Sequence, residues 1–160
     1  MTNNDVFRRL KYAFNYNPEK IILLFNHVGL TVTREEISTW LAKDTEEKEN
    51  LSLLDEQFAH FLNGMIIDNR GKKDNQIPVA EKELDNNIVF RKLRIALNLK
   101  DTDILEFLKL AGLNFGKSEL SAFFRKPGHQ HYRVCQDQVL RNFLNGLFLK
   151  NNPNPNPKTK

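Results

Sequence analysis

An internal duplication is the feature that most constrains this chain. The stretch at residues 3–14, NNDVFRRLKYAF, recurs at residues 86–97 as NNIVFRKLRIAL. The copies align at an offset of 83, and later at an offset of 82, where FLNG occurs at residues 61–64 and again at 143–146. A unit of about 80 residues is longer than the repeats that build solenoids. The sequence therefore predicts two small domains, or two halves of one fused domain.

Both copies show the apolar periodicity of helices. In the first copy Val6, Leu10 and Phe14 recur every four residues, while Arg8 and Arg9 fall elsewhere on the helical wheel. Similar patterns predict an all-α fold of two tandem, internally homologous units, each of about four helices and related by a pseudo-two-fold axis. The predicted divisions are a first repeat at 1–68, a polar linker at 69–85, a second repeat at 86–150 and a disordered Asn- and Pro-rich tail at 151–160.

Several residues predict where the helices begin. Asparagine and aspartate are favoured N-caps, so the candidates before the first helix of each copy are Asn3, Asn4, Asp85, Asn86 and Asn87. Thr33 and Glu36 have the spacing of a capping box, in which a hydroxyl and a carboxylate each bond the other residue's backbone N–H. Residues 43–50 read as an acidic connector between the third and fourth helices.

Three polar or small residues recur in the last helix of each copy or just before it. Gly64 and Gly146 lie inside it, and because glycine weakens a helix, their presence predicts close approach of another helix backbone. The preceding Asn63 and Asn145 are expected to bond backbone at that crossing or to line a site. For Asp55 and Asp137 we expect a helix cap, or an ion pair with Arg8 or Arg91.

Composition and charge limit the classes of function. The single cysteine, Cys135, excludes an internal disulfide and fits a reducing compartment. No signal peptide and no apolar run of membrane-spanning length is visible, so we expect a cytoplasmic protein without a membrane partner. Residues 1–68 carry 7 basic and 11 acidic side chains, whereas residues 86–150 carry 11 basic and 5 acidic ones. This asymmetry can mark a nucleic-acid surface, or two halves that complement each other.

The second copy also resembles a known family. It reads NNIVFRKLRIALNLK from residue 86, FRKPGH from 124, YRVCQDQ from 132 and LRNFLNG from 140. In these motifs, and over nearly all of residues 3–149, the chain is similar to the YehS-like family of small bacterial proteins, which consist of a duplicated domain of unknown function. The resemblance implies a bacterial cytoplasmic protein, and it assigns no activity and no site residues.

The chemistry-bearing residues give no catalytic constellation. His129, His131 and Cys135 lie close in sequence, but no fourth metal ligand is visible and the first copy has no equivalent set. A cysteine nucleophile at Cys135 would need a base and a depressed pKa. No phosphate-binding glycine loop occurs. We therefore predict no metal, no cofactor and no enzymatic activity, with an undetected enzyme as the least favoured alternative.

Two binding functions remain. The first is a protein-interaction or scaffold module, including self-association, which a duplicated helical unit suits. The second is a nucleic-acid-binding protein, suggested by the recurring basic residues of the first helix and by the helix–turn–helix look of residues 104–124, with a recognition helix at 119–126. The candidate surface for nucleic acid or a partner comprises Arg91, Lys92, Arg94, Arg125, Lys126, Arg133 and Arg141.

Overall fold

The fold is all-helical. The computed structural model describes residues 1–42 and 52–153, and no β-strand occurs within them. The helices are α1 (Asn3–Phe14), α2 (Pro18–Asn26), α3 (Arg34–Leu41), α4 (Asp55–Arg70), α5 (Asn86–Ala96), α6 (Asp101–Leu110), α7 (Lys117–Ala122) and α8 (Asp137–Asn151). None of the helices in these described ranges combines the length and apolarity needed to cross a membrane.

The two repeats pack by exchanging helix partners. The first helix of each repeat lies mainly against the last helix of the other, so that α1 packs on α8 and α5 packs on α4. One continuous apolar cluster runs through both repeats. Inside each repeat the same aromatic contact recurs: the ring centres of Phe7 and Phe61 are 4.8 Å apart, and those of Phe90 and Phe143 are also 4.8 Å apart. The prediction of two tandem, related helical units is confirmed.

Two glycines mark close helix crossings. A Cβ added to Gly64 would overlap the backbone carbonyl of Leu24, where α4 crosses α2. A Cβ added to Gly146 would overlap the backbone carbonyl of Phe107, where α8 crosses α6. The close backbone approach predicted for both glycines is confirmed, and it fixes the second helix of each repeat against the fourth.

The N-caps are only partly as predicted. Thr33 begins the expected capping box of α3, and Asp85 caps α5. For α1 the prediction of Asn3 or Asn4 is wrong, because Thr2 occupies the cap and accepts from the backbone N–H of Asp5. The asparagines that follow the true caps lie within the first helical turn, where their side chains are directed to other segments. These residues are Asn3, Asn4, Asn86 and Asn87.

Helix α7 is shorter than predicted. The sequence pattern placed a helix at residues 119–126, but α7 ends at Ala122. The carbonyl of Ala122 accepts from the backbone N–H of Arg133 at 3.1 Å, and the carbonyl of Phe123 accepts from the side-chain amide of Asn87 at 3.0 Å. Tertiary contacts therefore occupy the acceptors at which the helix would have continued.

Two other boundaries differ slightly from the sequence prediction. Helix α4 continues to Arg70, which lies within the predicted linker at 69–85. Helix α8 includes Asn151, the first residue of the predicted tail. The predicted acidic connector at 43–50 and residues 154–160 of the tail lie outside the described residues.

Candidate functional site

The two repeats meet at two equivalent polar junctions. In the first, Nζ of Lys92 on α5 donates to Oδ1 of Asn63 on α4 at 2.6 Å. In the second, Nη1 of Arg9 on α1 donates to Oδ1 of Asn145 on α8 at 2.7 Å. Lys92 and Arg9 occupy the same position of the duplicated sequence, and so do the two asparagines. We call these pairs the Lys92 junction and the Arg9 junction.

The main contact of both asparagines is not the backbone hydrogen bond predicted as one of their two roles. Their carbonyl oxygens accept from basic side chains of the opposite repeat. Asn63 also reaches backbone, through a long 3.5 Å contact from Nδ2 to the carbonyl of Pro78. The reason is angular, since adjacent residues on an α-helix point about 100° apart. Gly64 and Gly146 face α2 and α6, whereas the asparagines before them face α5 and α1.

The recurring aspartates also link the repeats. Asp55 accepts from Nδ2 of Asn3 at 2.7 Å and from the backbone N–H of Leu84 at 2.8 Å. Asp137 makes the equivalent contacts, with Nδ2 of Asn86 at 2.8 Å and the backbone nitrogen of Met1 at 2.5 Å. Each aspartate therefore holds the segment that leads into the first helix of the other repeat.

The cap and the ion pairs expected for these aspartates are not formed. The side chain that bonds the backbone N–H before α4 belongs to Gln57, not Asp55. Arg8 pairs with Asp5 of its own helix at 3.0 Å and donates through Nε to the carbonyl of Leu41 at 3.1 Å. Among the described residues, Arg91 forms no ion pair with Asp137. Helix geometry explains the difference for Arg8, because Asp5 lies one turn away on the same face.

Five of the seven candidate basic residues are brought together at the end of α7. The guanidinium of Arg94 lies over the ring of Phe124, 4.7 Å from its centre, directly before Arg125 and Lys126 in the chain. Arg91 precedes Arg94 by one helical turn on α5. The backbone of Arg133 is joined to the last carbonyl of α7. We call Arg91, Arg125, Lys126 and Arg133 the α7-end surface, because all four are exposed.

An open cleft of about 600 Å³ lies beside these residues, between α7 and the segment at 130–133. Arg125 and Arg133 line it, together with polar and aromatic side chains and one carboxylate, that of Glu119, which accepts from the backbone N–H of Gly116. The remaining lining residues are Ser118, Ser121, Ala122, Gln130, His131 and Tyr132. Cationic, hydroxyl and aromatic groups in one groove suit an anionic ligand that also has rings to stack.

Three of the seven candidate basic residues are not part of the α7-end surface, because each is buried, half-buried or already paired. Lys92 is 7% exposed, because it is buried in its junction between Asn63 and a carboxylate oxygen of Glu81 at 2.9 Å, and the structure removes it from the candidate surface. Arg94 is paired with Asp101 at 2.9 Å. Arg141 is half-buried on α8.

A titratable cluster that the sequence pattern did not reveal lies at one end of the repeat interface. Asp68 accepts from Lys20 at 2.7 Å and contacts His27 at 2.9 Å. Burial opposes its ionisation, but these two hydrogen bonds outweigh burial and lower the pKa of Asp68. Burial first, and the charge of Asp68 second, raise the pKa of Tyr16 to about 12. The seven-residue spacing of Lys20 and His27 on one helix face was the available signal.

Tyr16, Lys20 and Asp68 line an open cleft of about 670 Å³. The first repeat also contributes Phe14, Asn69 and Arg70, and the second contributes Ala96, Leu97 and Asn98. All of the ionisable groups in this cleft come from the first repeat.

Comparison with known proteins gives a family and one close relative. The family model described as "Protein of unknown function (DUF1456)" matches residues 3–71 and again residues 86–152. The chain belongs to the DUF1456 family. It is 38% identical over 152 residues to "Uncharacterized protein YehS" of Escherichia coli (strain K12), a match that covers 94% of this chain and 96% of the relative. No solved structure matches the chain.

The family match separates the repeated part of this DUF1456 protein from its linker. Residues 72–85 fall between the two matched segments. Within that interval, residues 78–81 lie on the Lys92 junction, where the carbonyl of Pro78 faces Asn63, Glu81 pairs with Lys92, and Ala80 is 9% exposed. We call residues 78–81 the strap. It covers one junction with a segment that is not part of either repeat.

The cysteine of this DUF1456 member is buried, whereas the two histidines near it in sequence are exposed. Cys135 is buried, and its backbone N–H donates to Oδ1 of Asn87 at 2.9 Å. Burial, and next the charge of Asp137, raise the pKa of its thiol to about 12, opposite to what a nucleophile needs. His129 and His131 are exposed, with ring centres 5.6 Å apart. Within the described residues, no three His, Cys, Asp or Glu side chains are placed to share a metal ion.

Proposed function

We propose that this protein is a non-catalytic nucleic-acid-binding protein that contacts phosphates through the α7-end surface. The observation that supports the proposal is a set of four exposed cations, Arg91, Arg125, Lys126 and Arg133, that have no carboxylate partner among the described residues. A cation that is already paired with a carboxylate adds little affinity for a phosphate. An unpaired cation that neutralises a phosphate releases the counterions condensed on the nucleic acid, and this release favours binding. The cytoplasm, inferred from the single cysteine and the resemblance, is the compartment we propose for this function.

The cleft beside this surface favours a strand whose bases are accessible. Tyr132 is half-buried at the cleft, and His131 is exposed there. Ring faces of this kind stack on bases without regard to sequence, at about 1–3 kcal/mol per base. Because α7 has only six residues, and Arg125 and Lys126 lie beyond its end, insertion of α7 as a recognition helix in the major groove is not the geometry we propose.

Salt-dependent binding tests the proposal. Fluorescence anisotropy with a labelled single-stranded RNA and a labelled DNA duplex would be measured between about 50 and 200 mM salt, where four phosphate contacts predict a logarithmic slope of about −3 to −4. The double variant Arg125→Ala/Arg133→Ala should weaken binding of all sequences and reduce the slope by about 2. The matched control is Lys72→Ala/Lys73→Ala, which removes the same charge from the exposed linker.

Three results would contradict the proposal. One is no binding at about 50 mM salt, where electrostatic affinity is greatest. Another is an equal loss in both double variants, which would show a response to net charge and not to the α7-end surface. The third is binding that does not change with salt.

A protein-interaction module is the second candidate function. The observation that favours it is the difference between the two junctions, since the strap covers the Lys92 junction and no described segment covers the Arg9 junction in the same way. This candidate uses a different surface from the α7-end surface, so each can fail independently of the other.

A further inference from the structure

The strap shows what kind of segment an inter-repeat junction accepts. Nδ2 of Asn63 donates to the carbonyl of Pro78, and Nζ of Lys92 pairs with the carboxylate of Glu81, three residues further along. Between them, Val79 is 90% exposed and Ala80 is 9% exposed. The strap is therefore an extended segment that supplies a carbonyl, then a small apolar side chain, then a carboxylate.

The Arg9 junction has the same recognition groups, but the residues that the structure describes provide no such acceptors there. Arg9 is equivalent to Lys92 and Asn145 to Asn63. Asn145 accepts from Arg9 through Oδ1, but among the described residues no acceptor faces its Nδ2 and no carboxylate pairs with Arg9. In the described part of the chain, the amide donor of Asn145 and the charge of Arg9 therefore lack the acceptor and the carboxylate that the other junction provides.

The Arg9 junction is also less buried than the Lys92 junction. Asn63 and Lys92 are buried at 0% and 7% exposure, whereas Asn145 and Arg9 are only half-buried. One turn beyond the asparagine, Ile67 is 7% exposed, but its equivalent Leu149 is 37% exposed. Within the described residues, the Arg9 junction therefore presents apolar surface beside Asn145 and Arg9.

We propose that the Arg9 junction is a binding site for an extended acidic peptide segment of a partner protein. The segment lies against α1 and α8 as the strap lies against α5 and α4. Its carbonyl accepts from Nδ2 of Asn145, a small apolar side chain packs beside Leu149, and an aspartate or glutamate three residues after the carbonyl pairs with Arg9. The duplicated geometry sets this order of groups, and charge complementarity requires the carboxylate.

A peptide with the sequence of residues 76–84, acetylated and amidated, is the probe for this site. It carries the strap in its native order and can be labelled with fluorescein for titration against the full chain. We expect saturable binding below about 1 mM, and replacement of the peptide's glutamate at position 81 by lysine should raise the dissociation constant at least about tenfold, which corresponds to about 1.4 kcal/mol.

Variants of the protein locate the bound peptide. Arg9→Ala should raise the dissociation constant at least about tenfold, whereas Arg9→Lys should retain binding, because lysine performs this role at the other junction. Lys11→Ala is the matched control, since it removes the same charge from the same helix and should change binding less than about twofold. Circular dichroism of each variant confirms that the helices remain formed.

NMR distinguishes the two junctions. Addition of the peptide should shift the side-chain amide resonances of Asn145 and leave those of Asn63 in place. The proposal is overturned if no saturable binding occurs up to about 1 mM, if Lys11→Ala weakens binding as much as Arg9→Ala does, or if Asn63 shifts instead. The last result would mean that the peptide displaces the strap from the Lys92 junction.

Discussion

At the scale of single residues, the two glycines of the FLNG motif have the clearest structural role. Gly64 and Gly146 lie where another helix passes so closely that a side chain would overlap its backbone. A backbone carbonyl cannot rotate away as the end of a flexible side chain can, so one of the two helices has to move. The same glycine therefore sets the spacing of the second and fourth helices in both repeats.

We predict that Gly64→Ala and Gly146→Ala each destabilise the protein, by about 3 kcal/mol or more, because overpacking at these contacts displaces a helix backbone. Urea denaturation followed by circular dichroism measures the change in the free energy of unfolding. Gly116→Ala is the matched control, since an added Cβ there meets only the end of the Glu119 side chain at 3.5 Å. Equal stability of the three variants would show that the crossings tolerate a methyl group.

At the scale of elements, α7 is defined by contacts made outside it. Asn87 on α5 donates to the carbonyls of Phe123 and Arg133 and accepts from the backbone N–H of Cys135. The equivalent Asn4 donates to the carbonyl of Trp40 and accepts from the backbone N–H of Leu53. One buried asparagine in each repeat thus holds the end of the third helix and the start of the fourth against the first.

We predict that Asn87→Ala lowers the free energy of unfolding by about 2–4 kcal/mol, because it leaves buried backbone groups without partners at about 1–3 kcal/mol each. Asn114→Ala, at an exposed position, should change stability by less than about 0.5 kcal/mol. Midpoints of urea denaturation give both values. A midpoint for Asn87→Ala close to that of the control would mean that solvent readily replaces these hydrogen bonds.

At the scale of the whole molecule, the repeats depend on each other. The main partner of α1 is α8 and that of α5 is α4, so separation of the repeats would expose both faces at once. The polar contacts cross in the same way, from Arg9 to Asn145 and from Lys92 to Asn63. A chain of this size buries about 70% of its unfolded surface only when its halves share one core.

We therefore predict that fragments 1–71 and 86–153 are each poorly helical when isolated, and that an equimolar mixture regains helical signal because the exchanged faces can meet again. Circular dichroism at 222 nm, with thermal melting of each fragment and of the mixture, provides the measurement. The intact chain should melt in one cooperative transition. A sharp melting transition in either isolated fragment would show that the repeat is a self-sufficient domain.

The parts of the site that depend on neighbouring residues in sequence could be predicted, and the parts that depend on distant residues could not. The glycine contacts were predictable, because glycine weakens a helix and its recurrence inside one indicates that a side chain would not fit there. Sequence spacing also identified Arg125 and Arg133 as candidates for one surface. Sequence spacing wrongly placed Lys92 on that surface. Arg91, Lys92 and Arg94 are all basic, and the sequence does not show which of them faces a neighbouring helix. The cluster around Asp68 is not visible in the sequence, because Asp68 is 41 residues from His27 and 48 residues from Lys20.

The sequence alone determined that this chain is two copies of one helical unit. The duplication is visible when the chain is aligned with itself, and apolar periodicity and caps are local patterns that indicate helices. Only the tertiary structure decided that each first helix packs on the opposite last helix, that Lys92 is buried under the strap, and that Arg9 is not. The physical reason is that both copies carry the same apolar stripes. The pattern of apolar residues therefore does not distinguish packing within a repeat from packing between repeats. Side-chain volume at the crossings and the route of the linker then select one arrangement.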